Sequence, residues 1–343
     1  MRCEGFILKG SGAAFSSDPG RYKEGMALAV LGVDLGGTKT AGILYHRGEV
    51  LEKYRSTTDI TSSDTVIEGI IAACSRLIQA ARDRGLDVES IGLGIAGFID
   101  FERGVVTDAP NHPLHEAPVR DILQERFNLP TVVDNDANVA ALAEARLGAG
   151  KGARFLIHLT LGTGIGGGII IDGDIYRGAQ GAAAELGHMI IDENGPICNC
   201  GARGCLEALA SGVAIYKRVE ELSRTKKRSP MLDEFRADPL AFRAEAVEKH
   251  AASGDELALS ILRAAGKHLG VGIASLINIF NPDVVTLSGG LLGCFPFMEE
   301  EMRVTVGGMA IPISRRHARI LTTTLGDDGG TLGAALLAAS YPG

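Results

Sequence analysis

"LAVLGVDLGGTKTAGILYHRGEVLEKYRS", Leu28 to Ser56, is the stretch whose reading decides the fold. "LAVLGVD" reads as a buried strand and "AGILY" from Ala41 as a second. "VLEKY" from Val50, beyond the turn "HRGE", reads as a third. The glycine loop Gly36, Gly37, Thr38, Lys39 therefore joins strand to strand. A dinucleotide-binding fingerprint must open a helix, and the Walker A spacing is absent, so neither motif applies.

The pattern returns in "FLIHLTLGTGIGGGIIIDGDIYRG", Phe155 to Gly178. A strand, the loop "GTGIGGG", the strand "IIID" and the turn signal "DGD" follow in order. Either loop alone is compatible with a tight turn that binds nothing. Two copies at domain-scale spacing also fit a pair of backbone N–H cradles facing a polyphosphate across a cleft. Asp34, before the first loop, would hold Mg2+ through water, and Thr38, Thr160 and Thr163 would add hydroxyl donors.

Helices and strands alternate around these hairpins. Ile67, Ile70, Ile71, Cys74, Leu77, Ile78 and Ala81 share one face of a helix that Gly85 stops. "SIGLGIAG" and "TVVDND" read as buried strands, and a helix follows the second from about Asn138. A long helix spans roughly Asp255 to Phe280, "VVTLSGG" is a further strand, and "DDGGTLGAALLAAS" is a terminal helix. "RTKKRS" reads as a solvated helix end. Asp134, Asn135 and Asp136 follow a buried strand directly. Carboxylates at strand ends sit at clefts in α/β sheets, and an Asp or its neighbour also caps a following helix. Three polar residues in a row exceed what a cap requires.

The chain has 343 residues, 45% of them hydrophobic and 22% charged, which allows a core large enough for two domains. A net charge of -8 argues against a nucleic-acid partner. No secretory leader is expected, since the beginning lacks an apolar leader segment, and no membrane helix is expected, since no apolar run approaches the roughly 20 residues one needs. The expected compartment is a reducing cytoplasm. Residues up to about Gly25 lack periodicity and read as a loose extension, with Met26 a candidate alternative start.

Three of the six cysteines lie in "GPICNCGARGC". Cys198, Cys200 and Cys205, with His188 upstream, supply three thiolates and an imidazole, the donor set of a tetrahedral zinc site. A reduced thiol cluster and a CxC redox pair are the competing readings. Four protein ligands would leave no open position, so such a metal would be structural and would tie down the loop that carries Glu207. Glu185 stands one helical turn before His188. Glu185, His188 and Glu207 together would form a ring of acceptors and donors suited to several hydroxyls.

"DLGGTK", "DNDAN", "LGTGIGGG", "ELGH" and "CNCGARGCLEA", in this order, resemble the ROK family of sugar kinases, which includes bacterial glucokinases; the resemblance runs from Leu31 to Ala339. It implies an α/β, actin-like (RNase H-like) two-domain ATPase fold with a central cleft. The expected division is an extension over 1–26, an N-terminal domain over 27–146 plus 328–343, and a C-terminal domain over 147–327 with the zinc loop. The resemblance implies that Asp136 is the general base and Asn135 a sugar ligand. Glu185, His188 and Glu207 match other sugar contacts, and Asn111 of "APNHP" is a weaker candidate. His188, Cys198, Cys200 and Cys205 match zinc ligands. ATP phosphates would meet Gly36, Gly37, Thr38 and Lys39 on one side. Gly162, Thr163, Gly164 and Gly166 would meet them on the other, with adenosine near Gly289 and Gly290.

The implied reaction is ATP-dependent phosphorylation of a hexose at O6, foremost glucose, with N-acetylmannosamine or N-acetylglucosamine as the alternative. Assembly as a homodimer or dimer of dimers is expected. The family also holds repressors that carry a winged helix-turn-helix before the "DxGGT" segment; the residues ahead of Asp34 are too few for one. A non-catalytic sugar sensor is disfavoured by the intact Asp136 and both loops, and an actin-like scaffold by the zinc loop. Relatives that use polyphosphate tend to lack the cysteine segment, so its presence favours ATP.

Overall fold

The structure is a computed structural model that describes residues 29–341. The extension and the alternative start at Met26 lie outside the described residues.

The first glycine loop is the hairpin between β1 (Ala29–Leu35) and β2 (Lys39–His46), and β3 (Glu49–Thr57) extends it antiparallel. After α1 (Ser63–Arg82), β4 (Val88–Ile95) returns parallel to β1. Three short antiparallel strands, β5 (Phe98–Asp100), β6 (Val105–Asp108) and β7 (His115–Ala117), form a side sheet. Then come α2 (Val119–Phe127), β8 (Thr131–Asn135) and α3 (Asp136–Arg146). The first main sheet runs β3-β2-β1-β4-β8.

The second main sheet repeats that plan. Its hairpin is β9 (Phe155–Leu161) and β10 (Ile165–Ile171), extended by β11 (Asp174–Ile175). A helical stretch follows: α4 (Leu206–Ala210), α5 (Gly212–Ser223), α6 (Pro230–Ala237), α7 (Ala244–Ala252) and α8 (Glu256–Phe280). β12 (Val284–Ser288) then pairs parallel with β9. After α9 (Glu299–Met309) and α10 (Pro312–His317), β13 (Arg319–Thr322) pairs parallel with β12. The order is β11-β10-β9-β12-β13. Each sheet thus begins with an antiparallel hairpin and adds two parallel strands, the duplication expected from the two glycine loops.

α11 (Gly329–Ser340) packs on the first sheet. A Cβ on Gly32 would lie 2.0 Å from the Thr331 carbonyl oxygen, and one on Gly92 would lie 1.9 Å from that of Ala334. Only glycine lets the helix backbone rest on β1 and β4 there. Against the expectation that no run reaches such a length, α8 is long and apolar enough to cross a membrane by length and composition. Leu262, Leu269, Ile273 and Leu276 on it are fully buried in the larger core, so it reads as a core helix.

The structure corrects three details. α3 begins at Asp136, two residues before the expected start, because Asn135 supplies the cap. The buried face of α1 includes Val66, Ala73 and Ala80, whereas Ile67, Ile71 and Ile78 stand at its margin. Small alanines let the helix approach the sheet closely, which turns the face toward them. β10 starts at Ile165, so Gly166 belongs to the strand rather than the loop.

Candidate active site

A cleft of about 420 Å³ opens where the two sheets face each other, lined among others by Asp34, Lys39, Asp136, Thr160, Gly289 and Gly290. Asp34 comes from β1, Asp136 from the first turn of α3, and the glycine pair from the end of β12. Strand ends from both sheets therefore meet in one space.

Asn135 caps α3: its Oδ1 accepts from the N–H groups of Ala137 at 2.9 Å and Asn138 at 3.2 Å. Its Nδ2 donates to the Gly97 carbonyl at 3.1 Å. The cap is thus the neighbour of Asp136, while Asp136 Oδ1 shares the Ala137 N–H at 2.9 Å. Burial pushes the Asp136 carboxyl above the ordinary carboxylate range, although the Ala137 N–H pulls the other way. Asp34 is pushed up to about 7, first by burial and then by the charge of Asp136, with Lys39 opposing. Two carboxylates with raised pKa values in one cleft fit a divalent cation.

The Thr160 hydroxyl is buried, has no hydrogen-bond partner among the described residues, and stands on the cleft wall. Such an orphan calls for a ligand. Lys39 Nζ lies 3.9 Å from Asp327, a loose pair across the cleft mouth. Gly36 N–H donates to Lys39 O at 2.9 Å and Gly162 N–H to Gly164 O at 2.9 Å, so each loop is closed on itself. Thr38 and Gly37 lie at the first turn, and Thr163 at the second. Asn111 packs against the first loop, its Cβ 3.1 Å from where a side chain on Gly37 would begin.

Glu185 and His188 flank a single 3₁₀ turn, with His188 Nε2 3.9 Å from Glu185 Oε2. Burial raises the Glu185 pKa, His188 lowers it, and the charges of Asp136 and Glu207 raise it further. Those mutual effects place three carboxylates around one space. Glu207, on α4, has its Oε2 accepting from the Ile165 N–H at 2.9 Å, while its Oε1 lies 3.7 Å from Cys198 Sγ. It therefore links the cysteine loop to the second glycine hairpin.

His188, Cys198, Cys200 and Cys205 bring one donor atom each within 4.8 Å of one another. Cys198 Sγ is 3.6 Å from His188 Nδ1, and Cys200 Sγ is 3.7 Å from Cys205 Sγ. Zn–S bonds of ~2.3 Å on a tetrahedron set donors roughly 3.8 Å apart, so the spacing fits zinc. The loop is held by its own backbone: Cys198 N–H donates to Ala202 O and Gly204 N–H to Pro196 O, both at 2.8 Å. His188 presents Nδ1 to the thiols and Nε2 to Glu185.

Two cleft residues escaped the sequence reading. His158 is fully buried at the cleft wall, with Nδ1 at 2.8 Å from Thr286 Oγ1 and Nε2 at 2.9 Å from Ser288 Oγ. Burial pushes its pKa down to about 4, which keeps it neutral. Glu144, buried on α3, accepts from Ala149 N–H at 2.9 Å and from the Thr323 hydroxyl. The only sequence signal was a lone polar residue in each apolar pattern.

The family model "ROK family" matches residues 30–340. Glucokinase of Thermotoga maritima is 36% identical over 90% of this chain and 96% of its own. The crystal structure of a ROK family glucokinase from Streptomyces griseus in complex with glucose and AMPPNP is 33% identical. It covers 91% of this chain and 100% of that one, with a TM-score of 0.78. A putative xylose repressor of Caldicellulosiruptor is 30% identical over 91% of this chain and 78% of its own.

Proposed function

The chain belongs to the ROK family, and from that premise we propose that it transfers the γ-phosphoryl group of ATP to the 6-hydroxyl of glucose. The fold is the actin-like ATPase fold of its structural neighbours. The observation that carries the reading is Asp136. Its neighbour Asn135 supplies the helix cap, and Asp136 lines the cleft beside Asp34 and acts on Glu185 through its charge.

Glucose would lie among Asn135, Glu185, His188 and Glu207, with Asn111 at the edge beside Gly37. Asp136 accepts the proton of the 6-hydroxyl as that oxygen attacks in line. Burial raises its pKa, which makes it a stronger base toward that proton. Lys39, Thr38, Thr160, Thr163 and the amides of both glycine loops hold the phosphates, and adenosine extends toward Gly289 and Gly290. Asp34 would hold Mg2+, which supplies charge neutralisation of the phosphates. His188, Cys198, Cys200 and Cys205 would hold a structural zinc, which fixes the loop that carries Glu207.

We assign 29–146 with 328–341 to one lobe and 147–327 to the other. A cytoplasmic location accords with the same reading. A homodimer, alone or doubled, is supported by exposed apolar residues brought together on the second lobe. Asn278 binds Met309 O and Ile311 N, and Ile279, Ile311 and Ile313 beside it are 67%, 53% and 73% exposed. Light scattering in solution tests the assembly. A coupled ADP-release assay over hexoses and N-acetylhexosamines tests the function. Glucose is expected to give the highest kcat/KM; preference for N-acetylmannosamine would move the substrate while leaving Asp136 in place, and no turnover would overturn the reading.

A further inference from the structure

Arg177 stands in the stretch between the second hairpin and Glu185. Its Nε donates to Asp134 Oδ2 at 2.7 Å, and its guanidinium carbon lies 3.7 Å from the centre of the Phe101 ring. Phe101 in turn meets Tyr341 edge-on at 5.4 Å. The Arg177 side chain is 17% exposed and that of Asp134 3%. In such a shielded pair, loss of one partner strands the other's charge.

The second oxygen of Asp134 serves the catalytic segment. Oδ1 accepts from the Asn135 N–H at 2.8 Å and from Asn138 Nδ2 at 3.0 Å. One carboxylate thus grips the residue before Asp136 and the residue two positions after it. Arg177 fixes that carboxylate from the far side. A charged hydrogen bond and a flat contact with an aromatic face set its direction as well as its distance.

The same residue anchors the loop that leads to the sugar-facing groups. The Arg177 carbonyl accepts from the Ala183 N–H at 3.2 Å, and Glu185 follows two residues later. At Gly181, with φ +85, a Cβ would lie 2.1 Å from the Ile99 carbonyl oxygen, so the loop rests directly on β5. Arg177 therefore joins the strand end that presents Asn135 and Asp136 to the loop that presents Glu185 and His188.

We propose that Arg177 is a positioning residue for the general base, which through Asp134 fixes the start of α3 against the sugar-binding loop. The proposal rests on the hexose-kinase reading above. A misplacement of about 1 Å at the reacting atoms can cost on the order of 10²-fold in rate. A purely structural ion pair would lower thermal stability and leave kcat alone.

The test is steady-state kinetics for glucose and for ATP on Arg177→Met, Arg177→Lys, Asp134→Asn and the Arg177→Met/Asp134→Asn double variant. Arg177→Met should lower kcat roughly 10-fold to 100-fold while KM for ATP stays within about threefold. Arg177→Lys, which keeps the charge without the flat stacking plane, should recover part of that loss. In the Asp134→Asn background, Arg177→Met should change kcat less than about threefold, because its partner is already gone. An Arg177→Met kcat within about twofold of the parent, or fully additive losses in the double variant, overturns the proposal. Should Arg177→Met fail to fold, Arg177→Lys decides. A kcat reduced at least about threefold with KM for ATP unchanged supports the role, and an unchanged kcat overturns it. A parent that phosphorylates no hexose sinks the functional reading and this role with it. An active parent beside a fully active Arg177→Met sinks the positioning role alone.

Discussion

Asp136 and His158 show how burial assigns chemistry to single residues. Asp136→Asn keeps the shape and the hydrogen bond with Ala137 but cannot accept a proton. The variant should fold like the parent and bind glucose, with kcat lowered roughly 10² to 10⁴-fold. Calorimetric glucose binding beside initial rates checks this, and parental activity would return Asp136 to a structural role. His158 makes a separate prediction. Its folded pKa, about 4, lies below the ordinary 6.5, so the unfolded chain takes up a proton first as pH falls. The stability that the neutral ring contributes is complete above about 6.5 and is lost as pH falls toward 4. Thermal melts should therefore show a steeper drop in Tm over that interval for the parent than for His158→Gln. Parallel curves would contradict the assignment.

At the scale of elements, the two hairpins were legible because glycine clusters interrupt alternating apolar runs, and the helix of the terminal segment because its apolar residues are continuous. The start of α3 was not legible. In "DNDAN" Asp134, Asn135, Asp136 and Asn138 all have the chemistry of a cap, and only the bonds of Asn135 to Ala137 and Asn138 choose among them. The partners of His158 were hidden for another reason. His158 and Thr286 are cross-strand neighbours between β9 and β12, a pairing that no local pattern encodes. The cysteine loop, by contrast, was readable from spacing, since its four donors lie close in the chain. Metal analysis should find one zinc per chain, and Cys200→Ser should lose it. Because Glu207 spans Cys198 and Ile165, that loss should raise KM for glucose by about tenfold or more and disturb the second glycine hairpin. Zinc-free protein with parental glucose affinity would refute the link.

For the whole molecule, the duplication visible in the sequence accounts for the cleft: two sheets of one plan set their first hairpins and strand ends face to face. What the sequence withheld are the ties between the halves. Arg177 to Asp134 and Thr323 to Glu144 each join residues far apart in the chain, and each ends on β8 or α3. These ties place Asp136 against groups contributed by the other sheet. Binding at both faces of the cleft should therefore stabilise the molecule more than binding at one. Tm with glucose and a non-hydrolysable ATP analogue together should exceed the sum of the separate shifts, as read by differential scanning fluorimetry; strictly additive shifts would speak against coupling across the cleft.

The most direct test of the central claim is phosphorus NMR of the products formed from ATP and glucose. ADP and a single new phosphomonoester on O6 of glucose are expected, both growing roughly 10² to 10⁴ times more slowly when Asp136→Asn replaces the parent. A phosphate on the anomeric oxygen, or ATP left intact beside glucose, would contradict that claim.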